Sequence, residues 1–230
     1  MNNPNPEVQP KQERIDSPEI KEIHGALLKL LQKLVIPIRN QDFQYIISDD
    51  LSGRIPAEII QRGANLFYTQ TGKPSIPILG IRGGWSFHEA IELRRDKLQH
   101  ATQAEVDIAT LKLKINPPTN PNKALLITEY IETGRTMKNL ILQLTKIGLK
   151  IDVASMGIKL NPDSYQTTGI IPSGSSLFYG DKFEQKPSIW NKPELLGYNR
   201  NRQIASGVLN PQIENDINYL ANEFKQMLTV

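Results

Sequence analysis

The sequence predicts an α/β protein: a parallel sheet flanked by helices, with terminal helices forming an added cap or hood. Three observations predict it. Short apolar runs of strand length are interspersed with amphipathic stretches of helical period. The run Ala124-Leu125-Leu126-Ile127 is apolar without alternation, as a strand covered on both faces must be. It passes into a glycine- and hydroxyl-rich loop and then a helix, an arrangement that presents helix N–H groups to anions.

Residues 1–16 are rich in Pro, Asn and Gln and read as a disordered tail. An N-terminal helix segment, residues 17–42, begins at Ser17-Pro18, a capping hydroxyl followed by Pro at the first helical position. Its apolar stripe is Ile20, Ile23, Leu27, Leu28, Leu30, Leu31 and Leu34, and Pro37 is expected to end it. His24 on this helix reads as a packing or surface residue. The main domain spans residues 43–187 and opens with a strand, Phe43–Ile47. Asp49, Asp50, Ser52, Gly53 and Arg54 follow, then a helix over Ala57–Gly63. Polar groups at the C-terminal ends of strands in open α/β sheets face ligands. Arg54 either clamps an anion or neutralises a carboxylate that caps the helix, and the sequence leaves both open.

A second strand, Pro77–Ile81, runs into Arg82-Gly83-Gly84, where two glycines and a cation suit an anion. A helical pattern of Trp85, Phe87, Ala90, Ile91 and Leu93 continues from it, and His88 within it reads as packing or surface. Val106–Ile115 reads as a strand or hairpin arm, and the prolines of residues 116–122 keep that stretch a loop. The central motif, Lys123–Thr136, leads into a helix with Leu140, Ile141, Leu144 and Ile147, stopped at Gly148. Lys150–Met156 is the next strand, so a right-handed βαβ unit is expected. Leu177–Gly180 is a possible last strand; Phe178 and Tyr179 read as core aromatics, although either can stack on a base. Residues 188–230 form a C-terminal hood ending in a helix with Ile213, Ile217, Leu220, Phe224 and Leu228 on one face.

The loop Glu132-Thr133-Gly134-Arg135-Thr136 carries the chemistry. The first N–H groups of the following helix have no intrahelical partner, and the helix dipole favours negative charge there. Thr133 and Thr136 add hydroxyl donors, and Gly134 lets the backbone come close to a phosphate. Glu132 repels such a ligand unless a cation offsets it, and Arg135 is the candidate. Neither the ATP-type phosphate loop nor the dinucleotide glycine fingerprint occurs in the chain.

The stretch from Ala124 to Thr136 resembles the signature of the type I phosphoribosyltransferases: an apolar strand, an acidic pair, then a Thr-Gly-x-Thr-like loop. The resemblance implies that Glu132–Thr136 hold the 5′-phosphate of phosphoribosyl pyrophosphate (PRPP) and that the acidic pair lies near the ribose hydroxyls. That pair falls on Thr128 and Glu129, so a Thr stands at the first acidic position. Glu129 is then the catalytic residue, stabilising positive charge on the sugar. Arg82, Gly83 and Gly84 fall where the family binds pyrophosphate, and residues 95–122 fall where it carries a mobile loop. The same resemblance implies Mg²⁺ held mainly through substrate oxygens, a nitrogenous base as acceptor, and dimers as a common assembly.

Composition bounds the alternatives. There is no cysteine, so neither disulfides nor thiolate catalysis are available. A net charge of +3 is too small to argue for nucleic acid. No apolar run approaches membrane-spanning length, and with no signal-peptide pattern the cytoplasm is the default expectation. His24, His88 and His100 lack metal-site spacing, so no protein metal centre is expected. Three functions remain: a phosphoribosyltransferase acting on PRPP, a regulator that senses PRPP or a nucleoside 5′-monophosphate without turning it over, and a scaffold that keeps only the fold.

Overall fold

The computed structural model describes residues 15–49, 53–81, 123–184 and 209–230. The chain forms helix α1 (Pro18–Arg39), strand β1 (Tyr45–Asp49), helix α2 (Arg54–Thr71) and strand β2 (Ile78–Ile81). Strand β3 (Lys123–Ile131), helix α3 (Arg135–Lys146), strand β4 (Lys150–Ile158) and short helix α4 (Pro162–Thr167) come next. Strand β5 (Leu177–Lys182) and helix α5 (Pro211–Thr229) complete the described elements. The strands form one parallel sheet in the order β2-β1-β3-β4-β5, the α/β architecture expected.

Both faces of the sheet are covered, which is why β3 needs its unbroken apolar run. Leu125 and Ile127 belong to the core shared with α1, α2 and α5, while Ala124 and Leu126 belong to the core shared with α3. This alternation shifts by one residue beyond Ile127: Tyr130 packs with the first core and Ile131 with the second. Asp152 on β4 is buried, and it accepts from Lys123 Nζ at 2.8 Å and from the Ser176 N–H at 2.9 Å.

The terminal helices lie together, with α5 packed on α2 and α1. The buried carboxylate of Asp216 on α5 accepts from the N–H groups of Asp16 and Ser17, at 3.0 and 2.9 Å, and from the Ser17 hydroxyl. Those donors precede α1, so a side chain from the far end of the chain anchors the entry to the helix. At the other end, Arg39 donates to the carbonyls of Leu228 and Met227 at 2.8 and 3.2 Å, capping α5 in return. Helices α1 and α5 therefore run parallel.

Two expected helix boundaries move. Helix α1 does not end before Pro37 but continues to Arg39. A proline in the last turn sacrifices one backbone bond. Tyr68 Oη donates to Ile38 O and Lys73 Nζ to Arg39 O, both at 2.6 Å, satisfying carbonyls at the helix end. Helix α2 does not stop at Gly63 but runs from Arg54 to Thr71 and ends at Gly72. A Cβ at Gly63 would lie 2.8 Å from the Ala221 carbonyl, so this glycine is where α5 crosses α2.

Candidate functional site at the carboxyl ends of the strands

The strand order reverses at β1, whose neighbours are β2 and β3. At such a switch point the adjoining connections diverge and leave a crevice beyond the carboxyl ends of the strands. Three segments meet there. The first is the start of α2: the Gly53 N–H donates to Asp49 O at 2.6 Å. A Cβ at Gly53 would come 2.1 Å from Ile127 O, so only glycine lets the helix sit this close to β1 and β3.

The second segment is the end of β3. Thr128 and Glu129 lie within the strand, which continues to Ile131 because β4 pairs alongside it as far as Ile158. Both are buried, Glu129 completely. Thr128 Oγ1 stands 3.4 Å from Asp49 Oδ2 on the neighbouring strand. The position at which the resemblance places a first acid thus carries a hydroxyl, with a carboxylate facing it from β1.

The third segment is the loop. Gly134 is the N-cap of α3, in the left-handed conformation at φ 74°. It is buried, Thr133 and Arg135 are exposed, and Thr136 is half-buried. A Cβ here would meet Ile170 Cγ2 at 2.6 Å, so both the backbone angle and the available space select glycine. The capping residue has no side chain to engage the first N–H groups of α3, and the exposed Thr133 hydroxyl stands beside it.

Glu132 has a partner that the sequence did not suggest. Its carboxylate accepts from Lys159 Nζ at 2.6 Å, and this contact holds the Lys159 ammonium above its usual pKa. Lys159 directly follows β4, and its N–H donates to Ile131 O at 2.9 Å. Tyr165 on α4 is fully buried. Its hydroxyl donates to Ile131 O at 2.7 Å, lies 3.1 Å from Glu132 O, and accepts from the Leu160 N–H at 3.0 Å. Burial is the main cause that raises its pKa. The β4–α4 corner therefore props the loop at Lys159, Tyr165 and Ile170. Asn161-Pro162, a helix-start signal, is the sequence trace of this corner.

Several other expected residues have definite places. Arg54 Nε pairs with Glu58 Oε1 at 2.8 Å along α2; Glu58 also meets Arg62, which reaches Glu214 on α5, both at 2.6 Å. Phe178 packs edge-on against Phe43 with ring centroids 6.5 Å apart, and Lys33 Nζ lies 3.8 Å over the Tyr179 ring. His24 Nε2 is 3.8 Å from Glu223 Oε2, a packing position on α1. Arg82, Gly83, Gly84, Asp50, His88, His100, the Val106–Ile115 stretch and residues 116–122 lie outside the described residues, as do the 1–14 stretch and residues 188–208. The strand preceding Arg82 ends at Ile81, in register with Asp49.

Among the described residues no group of three or more His, Asp or Glu side chains is placed to hold a metal ion, and no helix is long and apolar enough to cross a membrane. No family model matches the chain, and no curated protein matches it. Among solved structures, the chain is similar to the crystal structure of a purine phosphoribosyltransferase from Pyrococcus horikoshii Ot3. Identity is 17%, with 72% of this chain and 85% of that one covered, at a TM-score of 0.38. The site's own residues offer N–H and hydroxyl donors at a helix start, beside the buried Thr128 and Glu129 and the carboxylates of Asp49 and Glu132.

Proposed function

We propose that the crevice binds a phosphorylated ribose, PRPP or a nucleoside 5′-monophosphate, and that the protein transfers the phosphoribosyl group to a nitrogenous base with release of pyrophosphate. The observation that carries this reading is Gly134 as a left-handed N-cap between Thr133 and Thr136, at the carboxyl end of β3. A phosphate there meets the first N–H groups of α3 and the two hydroxyls. The resemblance of the Ala124–Thr136 stretch to the type I phosphoribosyltransferase signature supports the same reading.

In this reading Glu129 is the catalytic residue, its carboxylate stabilising the positive charge that develops on the sugar as pyrophosphate departs. Arg82, Gly83 and Gly84 are assigned to the pyrophosphate. The donor set near the crevice, Asp49 and the buried Glu129, fits a Mg²⁺ ion held mainly by substrate oxygens rather than a protein cage. When bound, that ion would neutralise pyrophosphate charge. The hydroxyl of Thr128 at the first acidic position favours one alternative, a regulator that binds the same ligands without turnover.

Calorimetric titration with PRPP and Mg²⁺ tests the reading, with a Thr133→Ala/Thr136→Ala double variant beside the native chain. Binding that the variant loses is expected. Pyrophosphate release in a screen of bases then separates the enzyme from the sensor. A native protein that binds neither PRPP nor nucleoside monophosphates leaves only a scaffold.

A further inference from the structure

A phosphate loop that carries its own carboxylate is at odds with its ligand. Glu132 opens the loop, its side chain is 57% exposed, and it sits two residues from the Gly134 N-cap. A negative charge so placed opposes an incoming phosphate. Arg135 is exposed on the first turn of α3, and Lys159, from just beyond β4, donates to Glu132 at 2.6 Å. The main chain of Lys159 is held in place beside the loop. Its backbone is tied to Ile131 O, and the Tyr165 hydroxyl bridges Leu160 to Ile131. The lysine's backbone is thus anchored to the strand end that launches the loop.

We propose that Lys159 is the residue that makes this loop competent for an anion: by pairing with Glu132 it cancels the one charge in the loop that repels phosphate. The proposal rests on the reading of the loop as a phosphate site and adds to it the residue that follows the neighbouring strand β4. The pair itself contributes little to stability, because both partners are solvated. Its consequence lies in ligand affinity. In a water-like dielectric, a carboxylate roughly 7 Å from a phosphate dianion opposes its binding by roughly five- to ten-fold.

The test is a four-member cycle titrated calorimetrically with ribose 5-phosphate at low ionic strength: native, Lys159→Met, Glu132→Gln and the double variant. Urea unfolding of each confirms that it folds. Lys159→Met is expected to weaken binding by roughly five- to ten-fold, with the loss shrinking as salt is added. Glu132→Gln is expected to bind at least as well as the native chain. The double variant should recover native affinity to within about two-fold. Rescue by removing the carboxylate is an outcome that a merely structural lysine would not produce. A Lys159→Met variant that binds normally overturns the proposal, and so does a loss that persists undiminished in the Glu132→Gln background. Should the native chain itself not bind ribose 5-phosphate, the phosphate reading falls with it. The other two failures leave that reading standing.

Discussion

Replacing Gly134 by Ala probes fold and site together, and its cost can be worked from two separate terms. The first is backbone. At φ 74° an L-residue with a Cβ loses about 1–2 kcal/mol relative to glycine. The second is space. The new Cβ would lie 2.6 Å from Ile170 Cγ2 and 3.0 Å from its Cδ1, closer than side chains tolerate. Ile170 is only partly buried, so it can turn aside at a cost of about 0.5–1.5 kcal/mol. The sum is about 1.5–3.5 kcal/mol. Urea unfolding should show it as a lower midpoint at unchanged slope. Repeating the substitution in an Ile170→Ala background removes the second term and leaves the first, so the cost should fall by about 1 kcal/mol. Titration with a phosphorylated ribose should show weaker binding in both backgrounds, since the N–H groups that follow residue 134 shift with it. A Gly134→Ala protein within about 0.5 kcal/mol of native stability, with ligand affinity intact, would refute the account of why this residue is glycine.

Two further expectations concern the helical layer. Asp216→Ala leaves the N–H groups before α1 and the Ser17 hydroxyl without their acceptor, so a loss of about 1–3 kcal/mol is expected in urea unfolding; a change below about 0.5 kcal/mol would remove Asp216 as the anchor of this segment. Tyr68 is buried with its hydroxyl on Ile38 O, and desolvation, with a smaller contribution from Asp42, pushes its pKa up to about 12. Its folded pKa exceeds the unfolded value near 10, so this stabilisation is present below pH 10 and is lost as pH rises toward 12. The loss is bounded at about 2–3 kcal/mol. Stability measured across that range should fall less steeply for Tyr68→Phe than for the native chain, and parallel curves would contradict the assignment.

Much of the sheet was legible in the sequence because its determinants are local. The unbroken apolar run at Ala124–Ile127 requires a doubly covered strand, and a glycine- and hydroxyl-rich loop followed by a helical period marks a helix start. Each of these follows from neighbours a few residues away. The boundaries at Pro37 and Gly63 were not legible for the opposite reason. Proline and glycine read as stops, yet Tyr68 and Lys73 serve the end of α1, and α5 crosses at Gly63. The site divides in the same way. The loop residues Thr133, Gly134 and Thr136 announce themselves by spacing. That Asp49 faces Thr128, and that Lys159 meets Glu132, depends on which strands the sheet makes neighbours. Short-range chemistry specified the strand, the loop and the helix start; long-range strand order decided which charges surround them, because a charge on one strand is felt on another only once the two lie side by side.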